Sequence, residues 1–252
     1  MTILHVPYHL DDHLPDLDLP LPADAVIRAD LPAGDVWARL AALYRLVADA
    51  VTAAAGRGAR PVVLAGDCLT ALGTVAGLQR AGIDPGIVWL DAHGDVQTPE
   101  TTESGYLPGM SLRLLVGYRP ELIGSALGLR PVPEDKVVLA GARDLDPPES
   151  VYLARARIRR AEVAGLGAVT LPDGPLYVHV DADVTDPADL PGLLFPAPGG
   201  PDRAAVTGAL RMLLATGRVA AVGVACSWRP GQGAAAAIGP GLKSALAAGL
   251  GG

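Results

Sequence analysis

Lysine is almost missing from this 252-residue chain: Lys136 and Lys243 stand against 18 arginines. With abundant alanine, glycine and proline, the imbalance reads as a bias towards GC-rich codons and carries no functional signal. Aromatic residues are scarce as well, at 4%, and no Lys/Arg cluster interleaves with them. With a net charge of −7, the electrostatic footprint of a nucleic-acid binder is absent. Cysteine is limited to Cys68 and Cys226, which form no CxxC or CxxH pattern. That excludes a disulfide framework or a zinc ribbon and leaves a single bridge open. The N-terminal stretch has no basic segment followed by an apolar run, so no secretory leader is expected. The most apolar tail, "GAAAAIGPGLKSALAAGLGG", is broken by glycine and proline and carries Lys243. It is expected to be a terminal helix, not a membrane span. A soluble cytoplasmic protein that meets neither membrane nor nucleic acid is the expectation.

What the chain has in quantity is apolar surface. Half of its residues are hydrophobic and 19% are charged, ample for a sizeable core. Short β-branched runs alternate with longer Ala/Leu-rich stretches. Strands are expected at 2–6, 61–67, 86–95, 136–149 (running into an acidic loop), 176–187 and 218–228. Helices are expected at 35–56, 69–82, 108–117, 120–128 and 202–217. Continuous apolar strands separated by helices predict a three-layer α/β/α fold with a mostly parallel central sheet. The Pro/Gly-rich segment 191–201 reads as a loop, so one domain over 1–252 is expected.

Four of these strands run into polar, metal-competent exits: at Gly66–Cys68, Asp91–Asp95, Arg143–Asp146 and Asp181–Asp186. In open α/β sheets ligand sites lie at the carboxyl ends of strands, so these loops should converge on one sheet edge. In extended chain, residues i, i+2 and i+4 point to one side, which would aim Asp91, His93 and Asp95 at a single space. Asp181 and Asp183 repeat the device, with Asp186 just beyond. Several carboxylates cannot gather at a buried strand end without a counter-charge. Divalent cations supply it, and mixed carboxylate and imidazole ligation suits Mn²⁺, Fe²⁺ or Zn²⁺ better than Ca²⁺. Taken singly, an Asp-x-His-x-Asp run is common without a metal, and "DADVTDP" is also what an ordinary Asx-turn with a helix cap looks like. His5, His9 and His13 fit no closed ligand set and read as surface residues; His179 reads as a hydrogen-bonded core histidine.

"GDC", "DAHGD", "GARDLDPPE" and "VDADVTDPADLPG" occur here in the order they take in the arginase and agmatinase family, the ureohydrolases. The resemblance covers about residues 60 to 230 and lies nearest a divergent arginase-like branch that includes hydrolases of N-hydroxyarginine. It implies a binuclear Mn²⁺ hydrolase whose bridging hydroxide attacks a guanidinium carbon and cleaves a C–N bond of a small guanidino or amidino compound. Carried over, the metal ligands fall on Cys68, Asp91, His93, Asp95, Asp181 and Asp183, with His93, Asp95 and Asp181 closest to the chemistry. Substrate contacts fall on Gln97, Ser104, Asp146 and Glu149. Family members are commonly trimers or hexamers, so the resemblance admits a homo-oligomer.

The sequence departs from the family at three points. Cys68 replaces a histidine ligand; it either binds as a thiolate, softer and less suited to Mn²⁺, or stays a buried thiol. Pro108 stands in "SGYLPG" where arginases have a proton-shuttle histidine. Ala225, Cys226 and Ser227 surround the place of the family's guanidinium-binding glutamate, and none is acidic. An N-hydroxyguanidine, with its more acidic leaving group, would tolerate loss of the shuttle. A degenerate ureohydrolase acting as a structural or regulatory protein is the alternative.

Overall fold

In the computed structural model, residues 1–168 and 171–250 are described. Strand β1 (Thr2–Val6) leads into a small hairpin, β2 (Tyr8–His9) with β3 (Asp12–His13), and then β4 (Ala25–Val26). Next come α1 (Val36–Gly56), β5 (Pro61–Ala65), α2 (Thr70–Arg80) and β6 (Gly86–Leu90). Two short helices, α3 (Ser111–Leu115) and α4 (Gly124–Leu127), precede β7 (Val137–Ala140), α5 (Pro147–Leu153) and β8 (Arg159–Ala161). The chain continues with β9 (Leu176–Asp181), α6 (Arg203–Ala215), β10 (Val219–Ala225) and α7 (Ala234–Leu250). Gly251 and Gly252, the end of the expected terminal helix, lie outside the described residues. None of the described helices is long and apolar enough to cross a membrane.

Among the described residues, eight strands form one sheet in the order β4-β1-β5-β10-β9-β6-β7-β8, and every pairing in it is parallel. The period-two alternation of strands divides the core. On β9, Leu176, Val178 and Val180 face the layer built by α6 and α7, whereas Tyr177 faces the layer of α1 and α2. Trp89 of β6 and Ala221 and Ala225 of β10 share that second side. Alternation therefore places His179, then Asp181, on the same side as Tyr177.

The expected elements are present, with two differences. The segment 108–117 is a 3-10 turn (Leu107–Met110) followed by a five-residue α-helix, because Pro108 and Gly109 sit in its first turn and Gly117 (φ 101°) ends it. The segment 120–128 keeps only four helical residues before Gly128 turns left-handed at φ 65°. The edge strands β4 and β8, two and three residues long, carry no apolar pattern and could not be read from sequence.

Helices α1 and α2 pack closely through glycine. A Cβ on Gly77 would lie 2.6 Å from the carbonyl oxygen of Ala48 and 2.7 Å from Val51 Cβ. Replacing Gly77 with alanine gains about 1 kcal/mol of helix propensity. Forcing a side chain against backbone costs about 1–3 kcal/mol, so the clash outweighs the gain. Gly77→Ala should lower the urea midpoint of unfolding without changing its slope; a raised midpoint would contradict this packing.

Candidate metal centre

The four strands at the middle of the sheet, β5, β10, β9 and β6, are neighbours, and the carboxyl ends of β5, β6 and β9 supply the predicted ligands. Cys68 follows β5; Asp91, His93 and Asp95 follow β6; Asp181 and Asp183 close β9. All six line one cleft of about 610 Å³, together with Gln97, Ser104, Tyr106, Pro108, Asp146, Glu149, Phe195 and Ser227. Every predicted site residue is therefore brought to one place.

The route by which they converge differs from the expected extended alternation. The chain leaves the strand at Leu90 and bends, and the His93 amide donates to Asp91 Oδ1 at 2.7 Å. Asp181 does the same in the second loop, accepting from the Asp183 amide at 2.9 Å as it caps a 3-10 turn. Each first aspartate thus folds its own loop, and an Asx-turn presents the next ligand. Asp95 adopts φ 54°, the left-handed region that aspartate tolerates better than most residues. Asp186, expected just beyond the cluster, instead accepts the amides of Ala188, Gly199 and Gly200 and shapes the following loop. The Arg143 guanidinium ties that loop down by donating to the carbonyls of Asp183, Val184 and Ala197.

Two groups of ligand atoms lie close enough to share an ion each. Cys68, Asp91, His179 and Asp181 form an inner, fully buried set; Asp91, His93 and Asp183 form an outer set nearer the cleft. His93 Nδ1 is 3.4 Å from Asp91 Oδ1 and 3.3 Å from Asp183 Oδ2. Cys68 Sγ is 2.8 Å from Asp181 Oδ2, to which it donates, and 3.2 Å from His179 Nε2. Asp95 lies outside both sets but lines the same cleft. It is 5% exposed, and its Oδ2 is buried without a hydrogen-bond partner.

These groups are mutually expensive. Burial, then the charges of Asp91 and Asp181, holds the Asp95 carboxyl well above the usual range. Burial and Asp183 do the same to Asp181, and burial with Asp91 pushes Asp183 up to about 6. Burial, then Asp181, raises the Cys68 thiol. Burial opposes a cation on His93, but hydrogen bonds and charge from Asp183 and Asp91 outweigh it and push the imidazole up to about 12. A cluster that can ionise fully only with added positive charge, and that keeps an orphaned carboxylate oxygen, fits divalent cations. The outer oxygen and nitrogen set suits Mn²⁺; the inner set carries a thiol, which suits it less.

The substrate-contact candidates sit at the rim. Gln97 Nε2 donates to Asp146 Oδ2 at 2.7 Å, and Ser104 is exposed. Both oxygens of Glu149 are engaged by backbone amides, Val96 on Oε1 and Asp146 on Oε2, so Glu149 braces the two rim loops against each other. Ser227 Oγ donates to Asp181 Oδ1, filling the β10 exit where no carboxylate stands. Two of the N-terminal histidines are not surface residues. His5 is buried in β1, and His9 is half-buried over the cleft, its Nε2 3.1 Å from Tyr106 Oη. Tyr106 in turn packs against Phe195. Sequence reasoning missed the cleft roles of His9 and Phe195 because one lies in a two-residue strand and the other in a loop, and neither carries a local signal. His179 was read as a core histidine, and it is one, but its Nε2 faces Cys68 Sγ.

The arginase-family model matches residues 12–227. Over 175 residues the chain is 37% identical to an arginase of Eremothecium gossypii, covering 62% of this chain and 43% of that one. It is 35% identical over 136 residues to an N(omega)-hydroxy-L-arginine amidinohydrolase of Streptomyces lavendulae, covering 52% and 47%. Its fold matches the crystal structure of arginase from Bacillus cereus with a TM-score of 0.82 at 25% identity, covering 99% of this chain and 97% of that one. In sequence, the chain spans about half the length of the curated relatives it matches. The protein belongs to the arginase family.

Metal removal should reveal the charge conflict. Asp183 keeps its proton to about 6 when folded, whereas its ordinary value is 3.8. The folded state therefore binds more protons, and stability falls as pH climbs through that interval. His93, raised from 6.5 to about 12, acts in the same direction above 6.5. Bound divalent ions replace those protons, so their stabilisation grows with pH. Thermal melts of chelator-treated protein should show a midpoint falling between about pH 5 and 8, with metal restoring most at the alkaline end. A metal-free midpoint that rises across that window would rule this account out.

Proposed function

We propose that this protein is a divalent-metal hydrolase that cleaves a C–N bond of a guanidino or amidino compound of the arginine or N-hydroxyarginine kind. The observation that carries this reading is the convergence of Cys68, Asp91, His93, Asp95, Asp181 and Asp183 from three strand ends beneath a single cleft. When bound, the ions, with Mn²⁺ in the outer set, would lower the pKa of a water and make it a nucleophile at neutral pH. The protein's own residues do the rest. Asp91 belongs to both ligand sets and sets their spacing. Asp146, held by Gln97, and Ser104 offer acceptors and a hydroxyl at the rim, where the charged end of an amino-acid-like substrate would rest. Tyr106, its phenol kept protonated by burial, is a hydrogen-bond donor roofing the cleft. Phe195 beside it covers an apolar wall.

Pro108 lines the cleft and can neither donate nor accept a proton through its side chain. The substrate best matched to that wall is one whose leaving nitrogen needs little protonation, which favours the N-hydroxyguanidine over the guanidine. Steady-state assays with Mn²⁺ should therefore show higher kcat/KM on N-hydroxy-L-arginine than on L-arginine. Asp183→Asn should lower either rate by about 100-fold or more. Equal turnover of both compounds would remove the argument from Pro108. Metal binding with no turnover of either would favour the second reading, a ureohydrolase retained as a binding or structural protein. The non-acidic exit of β10 at Ala225, Cys226 and Ser227 supports that alternative.

A further inference from the structure

The inner set contains a residue that the ligand motifs do not. His179 lies two residues before Asp181 on β9, so alternation turns both side chains to one side of the sheet. Its Nε2 stands 3.2 Å from Cys68 Sγ, and both belong with Asp91 and Asp181 to a group whose ligand atoms all lie within 4.8 Å of one another. From this arrangement we infer that the two halves of the centre are inequivalent: Cys68, His179, Asp91 and Asp181 form a closed, four-ligand Zn²⁺ site, and the outer set alone keeps open positions. The inference rests on the metal-centre reading of the same cleft and is independent of which substrate that cleft takes.

Three observations carry it. The first is donor chemistry. One thiol, one imidazole and two carboxylates are a mixed S, N, O set of the kind Zn²⁺ accepts in four-coordinate sites, and Mn²⁺ competes poorly for a thiolate. The set is buried throughout, as expected of a site with no coordination position left for solvent or substrate. By contrast, the outer set offers three ligands, with His93 only half-buried, and leaves room for both.

The second observation is that both ring nitrogens of His179 have partners, Nε2 towards Cys68 and Nδ1 towards Tyr177. Its Nδ1 is 3.1 Å from Tyr177 Oη. The Tyr177 hydroxyl also reaches Thr74, whose own hydroxyl donates to the Thr70 carbonyl at 3.2 Å. In the tautomer in which Nδ1–H donates to Tyr177, Nε2 is the lone pair that faces Cys68. An imidazole whose second nitrogen is fixed by a hydrogen bond is the usual arrangement of a metal-ligating histidine.

The third observation is that the neighbouring strands are built around this ring. Trp89, the register partner of His179 on β6, stacks on it at a centroid distance of 3.7 Å and donates its indole N–H to Asp91 Oδ2 at 3.1 Å. On the other side the register partner is Gly223 of β10. A Cβ there would fall 2.1 Å from Tyr177 Oη and 3.2 Å from His179 Nδ1. Only glycine leaves space for the tyrosine–histidine pair. Binding replaces the Cys68 S–H by an S–metal bond and sends its proton to solvent, so no oxidant or further reactant is needed.

The test is metal content, not turnover. Chelator-stripped full-length protein is incubated with one equivalent of Zn²⁺ in tenfold excess Mn²⁺, desalted and assayed by elemental mass spectrometry. Retention of about one Zn²⁺ per chain is expected. In parallel, loading with Co²⁺ should give a near-ultraviolet thiolate-to-cobalt absorption. Cys68→Ser should abolish that band. Tyr177→Phe, which keeps the ring packed but removes the partner of His179 Nδ1, should weaken Zn²⁺ retention by about 10–100-fold. Asp183→Asn should spare both. Two Mn²⁺ bound in place of Zn²⁺, or a cobalt spectrum without the thiolate band, would overturn the inequivalent centre and leave the hydrolase reading standing. No retention of any of the three ions would overturn both.

Discussion

The structure is organised around a repulsion. Asp91, Asp95, Asp181 and Asp183 are all buried at the ends of two neighbouring strands, and burial with the neighbouring charges raises the proton affinity of Asp95, Asp181 and Asp183. No apolar packing offsets that cost; only added positive charge does. The surrounding features can be read as consequences. Asp91 and Asp181 satisfy one oxygen each by capping their own turns, which fixes the loops without a partner from elsewhere. Arg143 spends its donors on backbone carbonyls of the second loop, so it stiffens that loop without neutralising the ligands. Among the described residues, the cation that leans most directly on the cluster is His93, itself a candidate ligand.

Much of this was legible in the sequence because parallel sheets make it so. A buried strand is a near-continuous apolar run, and the polar residue that ends it marks the sheet's carboxyl edge. "VVLAGD", "IVWLDAHGD" and "YVHVDADV" carried both signals at once, so strand, edge and ligands were read together. What could not be read was the geometry of the exits. Extended alternation was a reasonable expectation for Asp91, His93 and Asp95, but the chain turns at Ala92–His93 and delivers the same side chains by another path. His179 shows a different limit. Its position within the strand was plain, but that the ring faces Cys68 depends on β5, β6, β9 and β10 being neighbours, which no local pattern encodes. The same holds for His9, some hundred residues away in sequence from the Tyr106 it touches.

The departures from the family pattern sort by the same logic. Cys68 is accompanied by His179, by a stacked Trp89 and by a glycine that leaves space for the Tyr177–His179 pair. Pro108 has no such company; the groups nearest in role, Tyr106 and His9, approach from the roof of the cleft. Ser227 at the end of β10 takes an existing aspartate as its acceptor and creates no new charge.

The order of the strands has a consequence for how the chain reaches this state. β10, the last strand in sequence, lies between β5 and β9. Until it inserts, the sheet exists as two separate sections, β4-β1-β5 and β9-β6-β7-β8, each with an unpaired inner edge. Cys68 belongs to one section and its partners Asp91, His179 and Asp181 to the other. A nascent chain must therefore keep two open edges from pairing wrongly until β10 has been synthesised, a hazard typical of sheets closed by long-range pairing. The inner ligands lie on both sides of that strand, so an ion bound there would clasp the two sections across it.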